Sequence, residues 1–203
     1  MKLYIIIIAI SAGIVFVVNA IIMPWSLLWL CFVLIVFGVV GVTALHGAGS
    51  AFIYSLRRFI HPRSRYFKVS KKEKRFWQYF GVRKFKDYLP DLGGKLVGFE
   101  KRRVANPKDT DYIKTYIHET CVGEIGHIVG GILGFAVMLF MPAHGYWLYF
   151  GLPCAIVNLL LAIMPVIAMR YNRHKLVALC QVIEFQNKRN ETRVAVKSKE
   201  PES

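Results

Sequence analysis

The chain has 203 residues, of which 55% are hydrophobic and 19% are charged, and its formal net charge is +15. This composition excludes an ordinary soluble domain, which would have to hide this apolar surface from water. The four cysteines have no spacing typical of a disulfide framework or a zinc site, so we interpret them as small apolar residues.

Four uncharged apolar runs predict an all-α integral membrane protein with four transmembrane helices. The runs are Leu3–Ile22, Leu27–Leu45, Ile125–Met141 and Trp147–Met169. About 20 helical residues are needed to cross a hydrocarbon layer roughly 30 Å thick. The first run is longer than the apolar region of a secretory signal and lacks a small-x-small cleavage site, so we expect a retained helix.

The distribution of basic residues predicts the orientation of these helices. Of the 27 Lys and Arg residues, eighteen lie between 57 and 114 and eight lie from 170 onward. By the positive-inside rule, both termini and the middle segment face the cytoplasm. The predicted organisation is an N-terminal transmembrane hairpin (1–46), a basic-aromatic cytoplasmic or interfacial segment (47–109), a second transmembrane hairpin (110–170), and a cytoplasmic amphipathic helix with a disordered tail after Asn187 (171–203).

The basic-aromatic segment contains a short predicted helix. Ser70 and Glu73 form a capping box, and the helix that follows is rich in aromatic residues and ends at Gly81. Lys and Arg mixed with Trp and Phe are typical of a helix that lies in the membrane interface, so anionic lipid headgroups are expected partners. Nucleic acid is not an expected partner, because the segment joins membrane helices. The sequence from 91 to 111 indicates a loop with at most a short strand.

The third transmembrane helix is expected to begin near Asp109 or Thr110 and to run unbroken to Met141. Its glycines at 126, 130 and 134 form a seam that lets another helix approach closely. At 100° per residue, Glu119, Glu124 and His127 share one face above this seam. Ionisable groups inside a membrane are candidates for function by default.

Two chemistries could use this cluster. Glu-x-x-His with a further carboxylate can bind a metal, but such sites use a second similar helix and the chain has no other Glu-x-x-His, so we expect no metal. Alternatively, His127 is the general base for a hydroxyl that attacks an activated acyl group, Glu124 orients it, and Glu119 supports the pair or binds the acceptor. Besides these two chemistries, a purely structural interpretation is an interfacial Glu–His pair that only hydrogen-bonds a neighbouring helix.

The fourth transmembrane helix is expected to start at Trp147 and to emerge as "MRYNRHKL" on the same side as Glu119. Arg170 and Arg173 in this segment either anchor the helix at the membrane surface or bind phosphate or a developing oxyanion.

Three segments, in order, resemble the glycosyl-4,4'-diaponeurosporenoate acyltransferase family. They are "FWQYFGVRKFKDYLPDLGG", "YIHETCVGEIGH" and "MRYNRHKL", and the resemblance covers roughly residues 62 to 179. Its specific parts are the Arg-Lys-Phe-Lys segment at 83–86, the spacing of Glu119, Glu124 and His127, and the Arg-Tyr-Asn-Arg box at 170–173.

Members of this family are small bacterial membrane proteins that complete staphyloxanthin-type carotenoids by esterifying the sugar with a fatty acid. The resemblance implies a multi-pass O-acyltransferase of the bacterial cell membrane that needs no resident cofactor. The fatty acyl donor would be a thioester of coenzyme A or acyl-carrier protein. The acceptor stays open between a carotenoid glycoside, another glycolipid and a polyprenyl-linked sugar. The expected substrate-binding residues are Arg83, Lys84, Lys86, Arg170, Asn172 and Arg173.

A competing hypothesis is a non-enzymatic membrane adaptor or lipid-binding protein whose basic surface recruits a partner. A transporter is disfavoured because only one helix carries intramembrane charge and the chain has no internal repeat. The sequence makes no prediction of the oligomeric state.

Overall fold

The structure is a computed structural model that describes residues 2–89, 106–141 and 145–197. Throughout these ranges the regular structure is helical. Most of the loop at 91–111, with its predicted short strand, lies outside the described residues, and so does the chain after 197.

Six α-helices follow one another along the described chain. They are α1 (Lys2–Ile22), α2 (Leu28–Ser55), α3 (Lys71–Tyr79), α4 (Val82–Phe85), α5 (Thr110–Leu133) and α6 (Leu152–Lys197). Four of them, α1, α2, α5 and α6, belong to stretches long and apolar enough to cross a membrane. In the part of the chain that the structure describes, this confirms the prediction of an all-α protein with four helices long and apolar enough to span a membrane.

The boundaries of three helices differ from those expected. Helix α2 continues past 46 to Ser55, because small residues at its end pack closely against α5. The third span changes from α-helix to 3₁₀-helix over Gly134–Phe140. Helix α6, which begins after a π-helical turn at Trp147–Gly151, passes through Pro165 and continues to Lys197, beyond the expected end of order at Asn187. A proline inside a membrane helix is tolerated where neighbouring groups satisfy the freed carbonyl.

Local signals predicted the starts and ends of the shorter elements correctly. Ser70 caps α3, with its hydroxyl accepting from the Glu73 backbone N–H at 3.1 Å. Gly81 follows the helix with φ of 74°, in the left-handed region that glycine adopts most easily. Asp109 caps α5 through bonds from the backbone N–H groups of Asp111 and Tyr112. Each of the two side-chain caps satisfies backbone N–H groups at the start of its own helix. We call residues 57–89, which contain the short helices, the cap.

The core lies where α5 packs against α2 and α6. At the end nearer the cap, Ile113 and Tyr116 of α5 are buried with Leu176, Cys180 and Ile183 of α6. Toward the opposite end, a second cluster joins α2 to the start of the last span, through Cys31, Ile35, Met141 and Phe150. Most of the large apolar side chains of α1 are exposed, as suits a helix that faces lipid.

The glycine seam of α5 allows the close helix approach expected from the sequence. A Cβ atom built on Gly130 would lie 2.7 Å from the His46 carbonyl oxygen, and one built on Gly134 would collide with the Asn158 side chain. Ser50 of α2 donates a hydrogen bond to the Gly126 carbonyl oxygen at 3.1 Å. The seam therefore brings α2 and α6 onto the same face of α5.

We expect Gly130→Ala to lower the free energy of unfolding by about 1–3 kcal/mol, because the added methyl group overpacks this contact. Gly47→Ala is the matched control, since a Cβ at Gly47 meets nothing within 4 Å. That variant should be neutral or stabilised by up to about 1 kcal/mol, the usual gain when alanine replaces a helical glycine. Thermal unfolding in detergent micelles compares the two, and equal melting temperatures would contradict the role of the seam.

Candidate active site

A buried carboxylate, Glu124, lies between two arginines where α5 meets α6. Its side chain is 0% exposed, with Oε1 2.7 Å from Arg170 Nη1 and Oε2 2.7 Å from Arg173 Nη2. The Oε2 contact is an ion pair without hydrogen-bond alignment, and Arg173 Nη2 donates to the Thr120 carbonyl oxygen at 2.8 Å. Arg170 and Arg173 are three residues apart, so one face of α6 presents both guanidinium groups to α5.

Arg170 also binds a carboxylate of the cap. Its Nε lies 2.6 Å from Glu73 Oε1, and its Nη2 donates to Glu73 Oε2 at 3.3 Å. Trp77 Nε1, on α3 itself, donates to the same carboxylate at 3.3 Å. The two bonds from Arg170 hold α3 against α6. We call Glu73, Glu124, Arg170 and Arg173 the Glu124 cluster.

Arg173 has almost no contact with solvent, at 2% exposure. Besides Glu124 and the Thr120 carbonyl, it contacts the Thr120 hydroxyl, to which its Nε donates at 3.0 Å, and the Phe67 carbonyl oxygen, to which its Nη1 donates at 3.5 Å. Its guanidinium carbon also lies 5.2 Å from the Phe67 ring centroid, within range of a cation–π contact. With its donors in use, this residue is suited to hold the cluster together.

Tyr66 forms the outer edge of the cluster. Its ring lies 5.5 Å from the Arg170 guanidinium carbon, and 49% of the residue is exposed. Partial burial, followed by the charge of Glu124 and a hydrogen bond to it, raises the pKa of the Tyr66 hydroxyl. The hydroxyl of Tyr66 therefore stays protonated beside the buried Glu124 carboxylate.

Three further polar side chains, one from each of three helices, contact one another beside the Glu124 cluster. His46 Nε2 of α2 lies 3.2 Å from His127 Nδ1 of α5, and His46 Nδ1 lies 3.0 Å from Asn158 Oδ1 of α6. We call these three residues the histidine chain. All three side chains are half-buried.

The structure divides the predicted catalytic residues between different partners. Glu124 has both oxygens on arginines, and the Nδ1 atom of His127 faces His46. Glu119 Oε1 lies 3.8 Å from His118 Nδ1 at the edge of the site. The orientation of His127 by Glu124 remains a prediction, and His46 is the orienting partner that the structure supplies.

The predicted substrate-binding residues fall into two groups. Arg170 and Arg173 belong to the Glu124 cluster, with Asn172 half-buried on the same helix. The other group lies on the cap: Arg83 Nε donates to the Tyr171 hydroxyl at 3.2 Å, Lys84 is exposed, and Lys86 lies 3.8 Å from Asp87.

Sequence reasoning missed Glu73, Tyr66 and Thr120 as members of the site. Glu73 had already been assigned to the capping box, and nothing local in the sequence pairs it with an arginine 97 positions away. His46 was not predicted as a partner of His127, because it lies on another helix 81 residues earlier in the chain.

Within the described ranges, no group of three His, Cys, Asp or Glu side chains is placed to hold a metal ion. The Glu124 carboxylate, which the metal alternative would use, faces a guanidinium group on each oxygen.

The salt bridge of Glu73 predicts a stability that depends on pH. Although partial burial acts against it, hydrogen bonds from Arg170 and Trp77 lower the pKa of Glu73 below its ordinary 4.5. The resulting stabilisation is complete above the unfolded-state pKa and is lost as the pH falls through the folded-state pKa. Between about pH 7 and about pH 3, the melting temperature of Glu73→Gln should fall less than that of the wild type. Glu191→Gln, on an exposed part of α6, should keep the wild-type slope.

A comparison with models of protein families found a match for this chain. A family model described as glycosyl-4,4'-diaponeurosporenoate acyltransferase matches residues 57–182, which is more than half of the chain and includes the whole Glu124 cluster. His46 lies outside the matched residues, whereas His127 and Asn158 lie inside them. Searches of curated proteins and of solved structures found no match. The chain therefore belongs to the glycosyl-4,4'-diaponeurosporenoate acyltransferase family and is an acyltransferase.

Proposed function

We propose that the protein transfers a fatty acyl group from a thioester to a sugar hydroxyl of a glycolipid, with a glycosylated carotenoid as the acceptor that the family description favours. The observation that carries this proposal is the position of His127, half-buried between three helices and close along α5 to the buried Glu124 cluster. The reaction would occur at the cytoplasmic face, where the distribution of basic residues predicts that the cap lies.

The depth of these groups suits a substrate with a polar head and a lipid tail. Counted from Phe140 at the far end of the span, His127 lies about 24 Å along the helix and Glu124 about 28 Å. In a hydrocarbon layer roughly 30 Å thick, both are near the boundary on the cap side. An acyl chain can stay in the membrane while its carbonyl carbon reaches the imidazole.

His127 is the general base in this proposal. The imidazole takes the proton of the sugar hydroxyl while the hydroxyl oxygen attacks the carbonyl carbon of the thioester. The carbon–sulfur bond then breaks, and the imidazolium gives its proton to the departing thiolate. The products are the sugar ester and the free thiol, so the reaction needs no covalent enzyme intermediate.

Arg170 is the candidate for stabilising the oxyanion that forms on the carbonyl oxygen. It is 16% exposed, whereas Arg173 is 2% exposed, and it borders the ring of Tyr66 at the outer edge of the cluster. Glu124 and Glu73 hold its guanidinium group in place, which is the preorganisation that such a group requires. Asn172 is the other candidate for stabilising the oxyanion, and Glu119 remains a candidate for supporting the pair or binding the acceptor. The exposed basic residues of the cap, including Lys84, would attract a phosphorylated or acidic donor.

The experiment is a reconstituted transfer assay. The purified protein is placed in lipid vesicles with a glycosylated carotenoid and either palmitoyl-coenzyme A or palmitoyl-acyl-carrier protein. Liquid chromatography with mass spectrometry should show an acceptor heavier by one acyl group and an equal amount of free thiol. Vesicles without protein control for spontaneous transfer.

Parallel vesicles containing other glycolipids or a polyprenyl-linked sugar identify the acceptor class. If the folded protein acylates none of them from either donor, the proposed reaction is wrong. The adaptor hypothesis predicts that result, but membership of an acyltransferase family does not support it.

A further inference from the structure

We infer that Asn158 and His46 fix the tautomer of His127, leaving Nδ1 protonated and Nε2 as its basic nitrogen. This inference rests on the proposed function for its catalytic meaning, because it names the atom that would take the proton. The tautomer itself is inferred from the contacts of the histidine chain alone. His46 and Asn158 are then positioning residues that act through His127.

The orientation of the Asn158 amide sets the direction of the hydrogen bonds in the histidine chain. Its Oδ1 faces His46 Nδ1 at 3.0 Å, while its Nδ2 donates to the Gly131 carbonyl oxygen at 3.5 Å. The reversed amide would turn an oxygen toward that carbonyl and so lose the bond. An amide oxygen only accepts, so His46 Nδ1 carries a proton and donates it to Asn158.

The proton on His46 Nδ1 decides the next contact. In a neutral imidazole the other nitrogen is an acceptor, and charging a side chain at this depth is costly. His46 Nε2 therefore accepts across the 3.2 Å contact, and His127 Nδ1 must donate to it. His127 then has its lone pair on Nε2.

The glycine seam maintains this arrangement. A Cβ on Gly130 would lie 2.8 Å from His46 Cδ2, and the Asn158 side chain occupies the place where a Cβ of Gly134 would be. The absence of side chains at these positions lets both residues approach α5. The three polar groups therefore sit on three different helices, and none can turn without breaking a contact with another helix.

This inference gives the N-terminal half of the chain a part in the chemistry. Helix α2 contributes His46 from outside the residues that the family model matches. A chain shortened to residues 57–182 would lack the acceptor that holds His127 Nδ1.

The direct test is ¹⁵N solid-state nuclear magnetic resonance on the full chain in lipid bilayers, with all histidines labelled. The chain has six histidines, so the His127 signals are assigned by their loss in His127→Gln. We expect a protonated Nδ1 and an unprotonated Nε2 for His127 in the wild type. A protonated Nε2 on His127 in the wild type overturns the inference, whatever the activity of the protein.

Two variants of His46 test the consequence for activity. His46→Leu removes the acceptor, and acyl transfer should fall by about 10- to 100-fold, the usual loss when the partner that orients a functional histidine is removed. His46→Gln offers an amide oxygen at a similar reach and should recover most of that loss. Wild-type activity in folded His46→Leu would overturn the inference.

Asn158→Leu tests whether Asn158 sets the His127 tautomer independently of acyl transfer. The His127 spectrum of this variant should change to a mixture of tautomers, because His46 loses the acceptor that sets it. An unchanged spectrum would contradict the inference even if the wild type is active. If the tautomer follows Asn158 but the wild type transfers no acyl group, the inference stands and the proposed function fails.

Discussion

Replacement of Glu124 by Gln is expected to lower the free energy of unfolding by about 3–5 kcal/mol, the range for breaking a buried ion pair by removing one partner. Glutamine keeps the shape of the side chain but removes the charge between two guanidinium groups. Arg170 would retain Glu73, whereas Arg173, at 2% exposure, would keep its charge without a carboxylate partner at hydrogen-bonding distance in the described structure. Chemical or thermal unfolding in detergent micelles measures the loss.

The control is the exposed pair Lys114–Glu184, whose atoms are 2.8 Å apart at the surface of α5 and α6. Glu184→Gln should cost far less stability than Glu124→Gln, because solvent screens the charges of this exposed pair. Equal losses for Glu124→Gln and Glu184→Gln would mean that burial does not decide the strength of the cluster.

A double variant separates the lost charge from lost packing. Arg173→Met removes the charge that Glu124→Gln leaves without compensation, and its apolar side chain can fill part of the same space. The double variant should therefore be more stable than the sum of the single effects predicts. Simple additivity would show that the two residues do not act as a pair.

His127→Gln is expected to lower acyl transfer by about 10²- to 10⁴-fold, the usual contribution of a positioned general base, while the protein stays folded. An amide can form a hydrogen bond in the place of the imidazole, but it cannot take the proton of the sugar hydroxyl. The transfer assay in vesicles gives the rate, and the melting temperature confirms that the protein is folded.

His61→Gln is the matched control, because His61 is an exposed histidine of the cap. It should keep the wild-type rate. If His127→Gln also keeps that rate, His127 is not the base, and Tyr66 or Glu119 would have to be tested next. Because the Glu124 variant should mainly lose stability, its activity is compared per folded molecule.

The four apolar spans and the caps at the starts of two helices follow directly from the sequence. Each apolar run such as Leu3–Ile22 has to satisfy its own backbone hydrogen bonds inside a membrane, so length and composition suffice to identify it as a helix. The caps at Ser70 and Asp109 are equally local, since each side chain bonds a backbone group two or three residues away. The glycine seam could also be predicted, because the absence of side chains lets helices approach.

The partners of the polar groups depended on the tertiary structure. From the sequence, His127 was the natural neighbour of Glu124, three residues away on the same helix. The structure instead places Glu124 against Arg170 and Arg173, 46 and 49 residues further along the chain. A buried carboxylate is stabilised most by a permanent cation, and only the packing of α6 on α5 shows which cations can reach it.

The hydrogen-bond partner of His127 also depended on the tertiary structure. Its contact with His46 spans 81 residues, and the contact of His46 with Asn158 spans 112. No periodicity within one helix contains this information, because hydrogen bonds between helices depend on how each helix is rotated and how closely it approaches its neighbours. The sequence by itself determined the four spans, the caps and the seam, whereas the pairing of charges and imidazoles was decided when three helices met at one point.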